Sequence, residues 1–435
     1  MNTNKCLLYK FQENLEPENK KYYDLIRYAL DARVYYFGNH FKFPYERNIS
    51  IKEQIKSLLV GWGISCFVYF KSILYRKSTK VKVLSTAYFN INNLINKNDL
   101  LISRPPWAYS KSGNDIYDFK FYREAKKIKN LLNNGNFNYL ISLNFFNTIK
   151  EFEISYKQFI LDNNIKALFL PQDIGFFEKL SIQVFKELNL PSFNFIHGLP
   201  GVYNIIDYNR ADYLVVWGQA IKENFVNIGY DPDKILISGH PKYKIQSINQ
   251  LKFDFNDILI LPKSLPGQQN SVNYVLGDRS NLIFFLKTIQ SVLTNFGVKQ
   301  VRFRPHPGDN AQWYLQFIDN VFFKIDSDNL TESLNKSSLV IGPTSTVFFE
   351  SLIGGVNYIA YEPRLENGMG LDGHEIVPPF DGKNNKVPIA TNTQELNEIL
   401  QSKKQVDTSI IQDYIAPIFD ASAIVDLVLK NKKNN

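Results

Sequence analysis

The sequence alternates short β-branched or aromatic runs with amphipathic segments, and this alternation limits the fold more than any other feature. Segments 118–135 and 175–190 have helical spacing and end at Asn-Gly or before Pro, as helices do. Strands that alternate with helices predict a parallel sheet covered by helices on both faces. The predicted strands of this first series lie at 80–89, 138–146, 166–173, 192–198 and 212–218.

A second series of the same kind follows the polar segment 229–256, which is predicted to be a linker. Its helix lies near 280–296, and its predicted strands lie at 257–264, 299–307, 321–326, 337–345 and 356–363. Because 435 residues exceed one ordinary core, the predicted fold is α/β with two Rossmann-like doubly wound parallel-sheet domains facing a cleft. The predicted units are an N-terminal domain 1–228, the linker 229–256, a C-terminal domain 257–410 and a helical tail 411–435.

The amino-acid composition limits the classes of molecule that the protein is expected to bind. The chain is 44% hydrophobic and 21% charged, which is typical of a folded globular protein. Its net charge of +8 favours anionic partners, but it has no CxxC pairs, RNP-like strand or Arg-rich helix, so we expect no nucleic acid. Cys6 and Cys66 make no disulfide framework, and the first residues contain no long apolar core. The expected location is therefore the cytoplasm.

The apolar segment 57–75 approaches the length of a membrane span, but Lys71 and the Gly61-Trp62-Gly63 break weaken that interpretation. We favour a buried core helix. Peripheral contact with anionic lipid, at the inner face of the cytoplasmic membrane, is the second alternative because lysines flank the aromatic residues. A spanning helix is the third.

His306 directly follows a predicted strand and is held between Pro305 and Pro307, which restrict the backbone on both sides. The ring is therefore presented at the carboxyl edge of the C-terminal sheet, where it can bind a phosphate or offset the charge of a departing one. Arg304 is two residues earlier and is expected on the same face of the sheet. A histidine that only caps a turn is the structural alternative.

A second strand end in this domain is followed by Thr344, Ser345 and Thr346 at the start of an apolar helix. Their hydroxyls and the first amides of the helix form an anion site, although simple capping is the alternative. Glu350 is one turn further and is placed to accept hydrogen bonds from ribose hydroxyls. With His306 on a strand end predicted to be adjacent, a nucleotide phosphate ester is the favoured ligand.

The N-terminal domain also has polar residues at strand ends. Asp173 follows one strand and His197 follows the next, so either could accept the proton of an acceptor hydroxyl across the cleft. Glu178 is a weaker candidate because it lies inside a helix. His240 is expected to make a hinge or cleft contact, and His374 lies in a Gly-rich loop that could line the donor site.

Other chemistries lack their signatures in the sequence. No His and carboxylate residues have metal-ligand spacing, so we expect no metal and no cofactor. The chain contains neither GxGxxG after its first strand nor GxxxxGK[ST], which argues against dinucleotide oxidoreductases and P-loop enzymes.

The motifs Arg304-Pro305-His306-Pro307 and 342–351, GPTSTVFFES, resemble those of bacterial GT-B sialyltransferases and of Kdo and nonulosonic-acid transferases. The resemblance implies a CMP-activated sugar as donor, bound by the C-terminal domain, and a glycan or lipid-linked oligosaccharide as acceptor, bound by the N-terminal domain. It implies that His306, Ser345 and Thr346 contact the CMP phosphate, that Glu350 holds the ribose and that Asp173 is the base. In that family the acidic base belongs to an Asp/Glu-Asp/Glu-Gly motif. This chain has one more residue between the acid, Asp173, and the glycine, Gly175.

The order of "FIHG", "GHPKYK", "RPHP" and "TSTVFFESL" is also similar to the CDP-glycerol glycerophosphotransferases of teichoic acid synthesis. This resemblance implies functional roles for His197 and His306. It covers about residues 165–365.

The favoured function is an inverting, metal-independent glycosyltransferase that moves a nonulosonic-type sugar (sialic, pseudaminic or legionaminic acid or Kdo) from CMP to a bacterial surface glycan, such as capsule or lipopolysaccharide. Asp173 or His197 is the base. Three alternatives remain: a CDP-glycerol-type polyol-phosphate transferase, a UDP-sugar GT-B enzyme or epimerase, and a non-catalytic binding protein. Loss of Asp173 without loss of ligand affinity, and no turnover at all, would characterise the binding protein.

Overall fold

The computed structural model of the protein contains two sheets whose central strands are those that the sequence pattern indicates. The residues that it describes are 21–22, 25–26, 30, 51–75, 80–87, 100–108, 116–134, 137–173, 175–203, 210–245, 250–262, 279–306, 311–371 and 373–430.

The first sheet has six parallel strands in the order β2-β1-β3-β4-β5-β6. They are β1 (Val81–Ser85), β2 (Leu100–Ser103), β3 (Ile165–Leu170), β4 (Ser192–Phe195), β5 (Tyr213–Val216) and β6 (Ile235–Ile237). The helices of this half are α1 (Ile51–Leu74), α2 (Phe119–Asn134), α3 (Phe137–Leu140), α4 (Leu143–Asp162), α5 (Phe176–Glu187) and α6 (Gln219–Asn227).

The second sheet also has six parallel strands, in the order β12-β11-β10-β7-β8-β9. They are β7 (Ile258–Ile260), β8 (Val301–Phe303), β9 (Phe323–Ile325), β10 (Leu339–Gly342), β11 (Tyr358–Tyr361) and β12 (Ile389–Ala390). The remaining helices are α7 (Arg279–Asn295), α8 (Ala311–Tyr314), α9 (Leu330–Lys336), α10 (Val347–Ile353), α11 (Thr393–Ser402), α12 (Ile410–Tyr414) and α13 (Ser422–Lys430). The predicted fold class, α/β with two doubly wound parallel sheets of the GT-B type, is confirmed.

The strand orders fix where each sheet opens a crevice. In the second sheet the order in which strands are added reverses between β7 and β10, and in the first it reverses between β1 and β3. Ligands of open parallel sheets bind outside the carboxyl ends of the strands at such a reversal. The segments that follow β10 and β3 contain Thr344 and Asp173, so two of the predicted site residues lie at these two points.

The prediction of a strand at 138–146 is wrong, because these residues lie in α3 and at the start of α4. Ser142 caps α4 by accepting a hydrogen bond from the amide of Phe145. The buried side chains of α4 then recur every three or four residues, which is the spacing of one helix face. They are Phe145, Phe146, Ile149, Phe152, Glu153, Tyr156, Phe159 and Ile160.

The connection between the sheets is shorter than the predicted linker 229–256. Residues Ile235–Ile237 form β6, which pairs with β5 at the edge of the first sheet. Lys252 bridges to Val356 beside the second sheet. The segment between the domains therefore begins after Ile237 and ends before Lys252.

The C-terminal part of the chain crosses back to the N-terminal domain. The amide of Ala416 donates to the carbonyl of Trp217 at 2.8 Å, and that of Asp420 donates to the carbonyl of Ser238 at 2.8 Å. Helix α13 then packs on the first sheet, where Ile424 and Val428 join the apolar cluster of its strands. Of the predicted helical tail 411–435, helix α13 therefore belongs to the core around the first sheet.

Helix α1 covers the segment for which a buried core helix was favoured, and that prediction is wrong. Val68 is buried, but Leu58 is 73% exposed and Trp62 is 70% exposed. Among the residues that the structure describes, no helix has the length and apolar character to cross a membrane.

Candidate functional site in the interdomain cleft

Asp173 and His197 follow neighbouring strands, β3 and β4, as the sequence predicts. The Nδ1 of His197 lies 3.1 Å from the carbonyl oxygen of Pro171, two residues before Asp173. A carbonyl only accepts, so Nδ1 carries the hydrogen and donates it. This hydrogen bond ties the two strand ends together.

The same hydrogen bond determines which nitrogen of His197 is basic. In a neutral imidazole that donates from Nδ1, the lone pair is on Nε2, and Nε2 is the atom that can accept a proton. The side chain of His197 is exposed, whereas Asp173 is only 7% exposed. His197 is therefore the better placed of the two to meet a substrate hydroxyl.

The loop that contains His197 contacts the C-terminal domain directly. The amide of Leu199 donates to Oγ1 of Thr346 at 3.0 Å. A Cβ added to Gly198 would lie 3.0 Å from the same oxygen, so a larger residue would push the two loops apart. The structure thus joins the predicted base loop and the predicted phosphate loop across the cleft.

Thr344 is used differently from the prediction. Its amide and its hydroxyl both donate to the Oε2 of Glu362, at 2.7 and 2.8 Å. Glu362 is completely buried and follows β11, and the sequence search missed it. The only signal was a carboxylate near the end of the predicted strand 356–363. Thr344 therefore holds the loop in place, and its hydroxyl already has a partner.

The other hydroxyl residues of this loop lie at the start of α10, whose N-cap is Thr346. Ser345 accepts a hydrogen bond from the amide of Val347 through its Oγ, at 3.2 Å. A hydroxyl that accepts a hydrogen bond still has its own proton to donate. Ser345 and Thr346, both half-buried, can therefore donate to an anion in the cleft.

Glu350 meets the segment between the domains, because its Oε1 accepts a hydrogen bond of 2.8 Å from the hydroxyl of Tyr243. Burial and the nearby Glu350 carboxylate both raise the pKa of Tyr243, so the phenol stays protonated and donates. Glu350 has further lone pairs for ribose hydroxyls. Tyr243 is a second residue that the sequence did not indicate.

The predicted hinge contact of His240 is built from aromatic rings. The rings of His240 and Tyr243 stack with centroids 3.5 Å apart, and the ring of His240 meets Trp217 edge-on. Nδ1 of His240 accepts from the amide of Lys242 at 3.2 Å, which fixes the neutral form with the hydrogen on Nε2. Burial, helped by the charge of Lys242, lowers the pKa of His240 to about 3.

His306 is exposed after β8, at the same edge of the sheet as the 344–346 loop. The sequence suggested that His306 and this loop follow neighbouring strands. That prediction is wrong, because β7 lies between β8 and β10. Two strand spacings separate the two sites by about 10 Å. A ligand as long as a nucleotide phosphate would reach both. Pro307 lies outside the described residues.

Arg304 does not point to the donor site, although the sequence placed it there. Its Nη1 donates to the carboxylate of Asp326 at 3.1 Å, to the carbonyl of Asp328 at 2.6 Å and to Ser333 at 3.1 Å. The side chain of Asp326 is 2% exposed. Arg304 therefore neutralises a buried carboxylate inside the C-terminal domain.

Two weaker candidates lie in turns with glycine. His374 is half-buried, and its carbonyl accepts a hydrogen bond from the amide of Gly370 at 2.9 Å. Gly175, with a φ of 101°, precedes α5, and a Cβ there would lie 2.5 Å from Oε2 of Glu178. Burial raises the pKa of Glu178. The carboxylate of Glu178 can therefore lie against the backbone of residue 175 only because that residue is a glycine.

Within the described ranges, no group of three or more His, Cys, Asp or Glu residues could hold a metal ion. A groove of about 420 Å³ lies between α2 and α4, where Glu124, Lys127, Phe152 and Ser155 are among its lining residues. None of the predicted site residues lines it.

No protein-family model matches the chain, and no curated protein matches it. Among solved structures, it is similar to UDP-GlcNAc 2-epimerase of Methanocaldococcus jannaschii with UDP-GlcNAc and UDP, at 13% identity and a TM-score of 0.42, covering 82% of this chain and 100% of that one. It is similar to the wall teichoic acid polymerase TagF with CDPG, at 13% identity and a TM-score of 0.41, covering 83% and 90%. Anabaena Alr3699/HepE with UDP is similar at 11% identity and a TM-score of 0.44, covering 82% and 100%.

These similarities concern overall architecture. At TM-scores of 0.41 to 0.44 they add nothing to the choice of a reaction. The assignment of a reaction rests on the residues of the cleft.

Proposed function

We propose that the protein is a transferase that moves a group from a cytidine nucleotide to an acceptor hydroxyl. The observation that carries this proposal is the orientation of His197: exposed, anchored through Nδ1 to the carbonyl of Pro171, and in a loop that is hydrogen-bonded to Thr346. The loop that carries this histidine thereby meets the segment that is expected to bind the phosphate.

In this proposal Nε2 of His197 takes the proton of the acceptor hydroxyl as its oxygen attacks the donor. The new bond joins the acceptor oxygen to the transferred group, and the bond from that group to CMP breaks. General base catalysis of this kind contributes about 10² to 10⁴ in rate. Asp173, buried at the neighbouring strand end, is the alternative base.

The C-terminal domain would stabilise the departing CMP. Ser345 and Thr346 can each donate a hydroxyl hydrogen to its phosphate, and Glu350 can accept from its ribose while it still binds Tyr243. His306, on the other side of β7, would contact the same phosphate and offset its charge. The reaction needs no metal in this scheme, since hydroxyl and imidazole groups stabilise the leaving group by hydrogen bonds.

A polyol phosphate, as in CDP-glycerol, is the favoured transferred group. The motif resemblance to that class assigns roles to His197 and His306, and both are exposed at the cleft edges of their sheets.

Transfer of a nonulosonic-type sugar from its CMP form is the second candidate. It is favoured by the placement of Asp173 at the reversal point of the first sheet, where the resemblance to sialyltransferases puts an acidic base. The acceptor in either case would be the hydroxyl of a bacterial surface glycan or its lipid-linked precursor, on the cytoplasmic side of the membrane.

The test is release of CMP from CDP-glycerol and from CMP-sialic acid, with UDP-GlcNAc as the control donor, in the presence and absence of EDTA. We expect CMP from CDP-glycerol, unchanged by EDTA. Release from CMP-sialic acid alone would move the assignment to sugar transfer. Turnover of UDP-GlcNAc alone would overturn the cytidine preference.

A thermal-shift series without turnover separates binding from chemistry. CMP should raise the Tm more than UMP does, since a ligand of the folded state stabilises it by RT ln(1 + [L]/Kd). In the variant His306→Ala, CMP release should fall by about 10²-fold or more. Unchanged release would remove His306 from the site.

A further inference from the structure

Helix α1 rests on α2 by one side only. Val68 is buried there beside Tyr122, and the hydroxyl of Ser65 accepts a hydrogen bond of 2.9 Å from Nζ of Lys126. The hydroxyls of Ser65 and Tyr122 lie 3.2 Å apart. These contacts fix which face of α1 points to the protein.

The opposite side of α1 is apolar and exposed to solvent. Leu58 and Trp62 are 73% and 70% exposed, and Leu74 is 75% exposed. The exposed apolar side chains recur at helical spacing and form one stripe about 30 Å long. We call this stripe the apolar face of α1; its residues are Ile55, Leu58, Leu59, Trp62, Tyr69, Phe70, Ile73 and Leu74.

Helices α1 and α2 carry an excess of positive charge. Together they contain eight Lys or Arg residues and two Glu residues. The basic residues whose side chains are exposed are Lys52, Lys56, Lys71, Lys120, Arg123, Lys127 and Lys129. An exposed apolar stripe with bulky aromatic residues, on a helix that also carries exposed lysines, is the pattern of a helix that lies in a membrane interface.

We propose that the apolar face of α1 binds the surface of an anionic lipid bilayer. Leu58 and Trp62 enter the boundary between headgroups and acyl chains, while Lys52 and Lys56 contact lipid phosphates. The helix lies in the plane of the membrane and does not cross it. A second copy of the chain fits less well, because two such basic surfaces repel each other.

The test is flotation of the full chain with vesicles of phosphatidylcholine, alone or with about one third phosphatidylglycerol. We expect binding to the anionic vesicles and little binding to the neutral ones. The double variant Leu58→Ser/Trp62→Ser should lower the partition coefficient at least tenfold. Lys52→Gln and Lys56→Gln should each lower it about fivefold at low salt.

Phe284→Ser is the matched control, since Phe284 is 65% exposed on α7, in the other domain. It should bind vesicles as the unchanged chain does. Equal binding by the double variant, or no binding to anionic vesicles, would overturn the proposal.

Brominated lipids give an independent readout. They should quench the fluorescence of Trp62, and the variant Trp62→Phe should lose that quenching while it still binds. Light scattering tests the other occupant: a dimer that Leu58→Ser/Trp62→Ser converts to a monomer, with no vesicle binding, would assign the apolar face to self-association instead.

Discussion

The hydroxyl of Tyr243 donates a hydrogen bond of 2.8 Å to Glu350, and this contact joins the segment between the domains to α10. Tyr243 also stacks on His240, which in turn packs against Trp217 at the end of β5. The relative position of the two sheets at the cleft therefore depends on one continuous set of contacts.

Removing this hydrogen bond should destabilise the protein. In Tyr243→Phe the stack on His240 remains, but the Glu350 carboxylate loses a donor, and we expect a loss of about 1 kcal/mol in the free energy of unfolding. Urea denaturation measures it. Tyr69→Phe is the control, because Tyr69 is 45% exposed on α1. Equal losses in the two variants would contradict the role of the Tyr243–Glu350 bond.

The buried neutral His240 should make stability depend on pH. Its pKa is about 3 in the folded protein, below the ordinary 6.5, so the unfolded chain binds more protons between these values. The contribution of His240 to the free energy of unfolding is fully present above pH 6.5. It falls by about 1.4 kcal/mol per pH unit as the pH decreases below that value. Comparing urea denaturation of the unchanged chain and His240→Asn at pH 7 and 5 isolates this contribution. A variant with the same pH slope would exclude His240 as its source.

Gly175 should tolerate no side chain. In Gly175→Ala a Cβ would meet Oε2 of Glu178 at 2.5 Å, and the φ of 101° is strained for any L-residue. We expect a loss of about 1 to 3 kcal/mol in the free energy of unfolding. Gly201→Ala is the matched control, since nothing lies within 4 Å of a Cβ there. The expectation fails if both variants unfold at the same urea concentration.

Arg304 should contribute to the stability of the fold and not to binding of the donor nucleotide. In Arg304→Gln the carboxylate of Asp326, whose side chain is 2% exposed, loses its nearer ion-pair partner, while Arg302 stays 3.6 Å away. Breaking a buried ion pair on one side costs about 3 to 5 kcal/mol, and the remaining contact with Arg302 should lower that cost. Differential scanning calorimetry should show a lower Tm, while CMP affinity, measured below that Tm, stays unchanged. Weaker CMP binding with an unchanged Tm would return Arg304 to the donor site.

The base can be identified with two isosteric variants. His197→Gln should lower turnover by about 10² to 10⁴ and leave CMP affinity unchanged, because its role is proton transfer. Asp173→Asn should then have the smaller effect on turnover. The reverse order would make Asp173 the base and would favour sugar transfer.

The sequence predicted the central strands of both sheets well, because a strand buried on both faces has a continuous apolar run. The strands that it missed, β2, β6 and β12, all lie at sheet edges and are two to four residues long. An edge strand has fewer neighbours, so its composition is less constrained. The same limit explains why β6 was taken for part of a linker.

The candidate site was predictable only in part. Parallel strands bring their carboxyl ends to one edge, and this rule predicted Asp173, His197 and the 344–346 loop at those ends, where the structure has them. The rule does not predict which residue each side chain forms a hydrogen bond or ion pair with. Arg304 pairs with Asp326, and Thr344 pairs with Glu362, through contacts between segments distant in sequence.

The return of α13 to the first sheet has a consequence for how the molecule folds. Helix α13 is synthesised last, but it packs on strands of the first sheet, which are synthesised much earlier. One apolar face of that sheet therefore stays uncovered until the C-terminal domain has been made. The nascent first sheet is exposed to aggregation during that interval. In the finished molecule one apolar cluster contains residues of both domains, among them Trp217 and Phe348, so the two domains should unfold in a single cooperative transition.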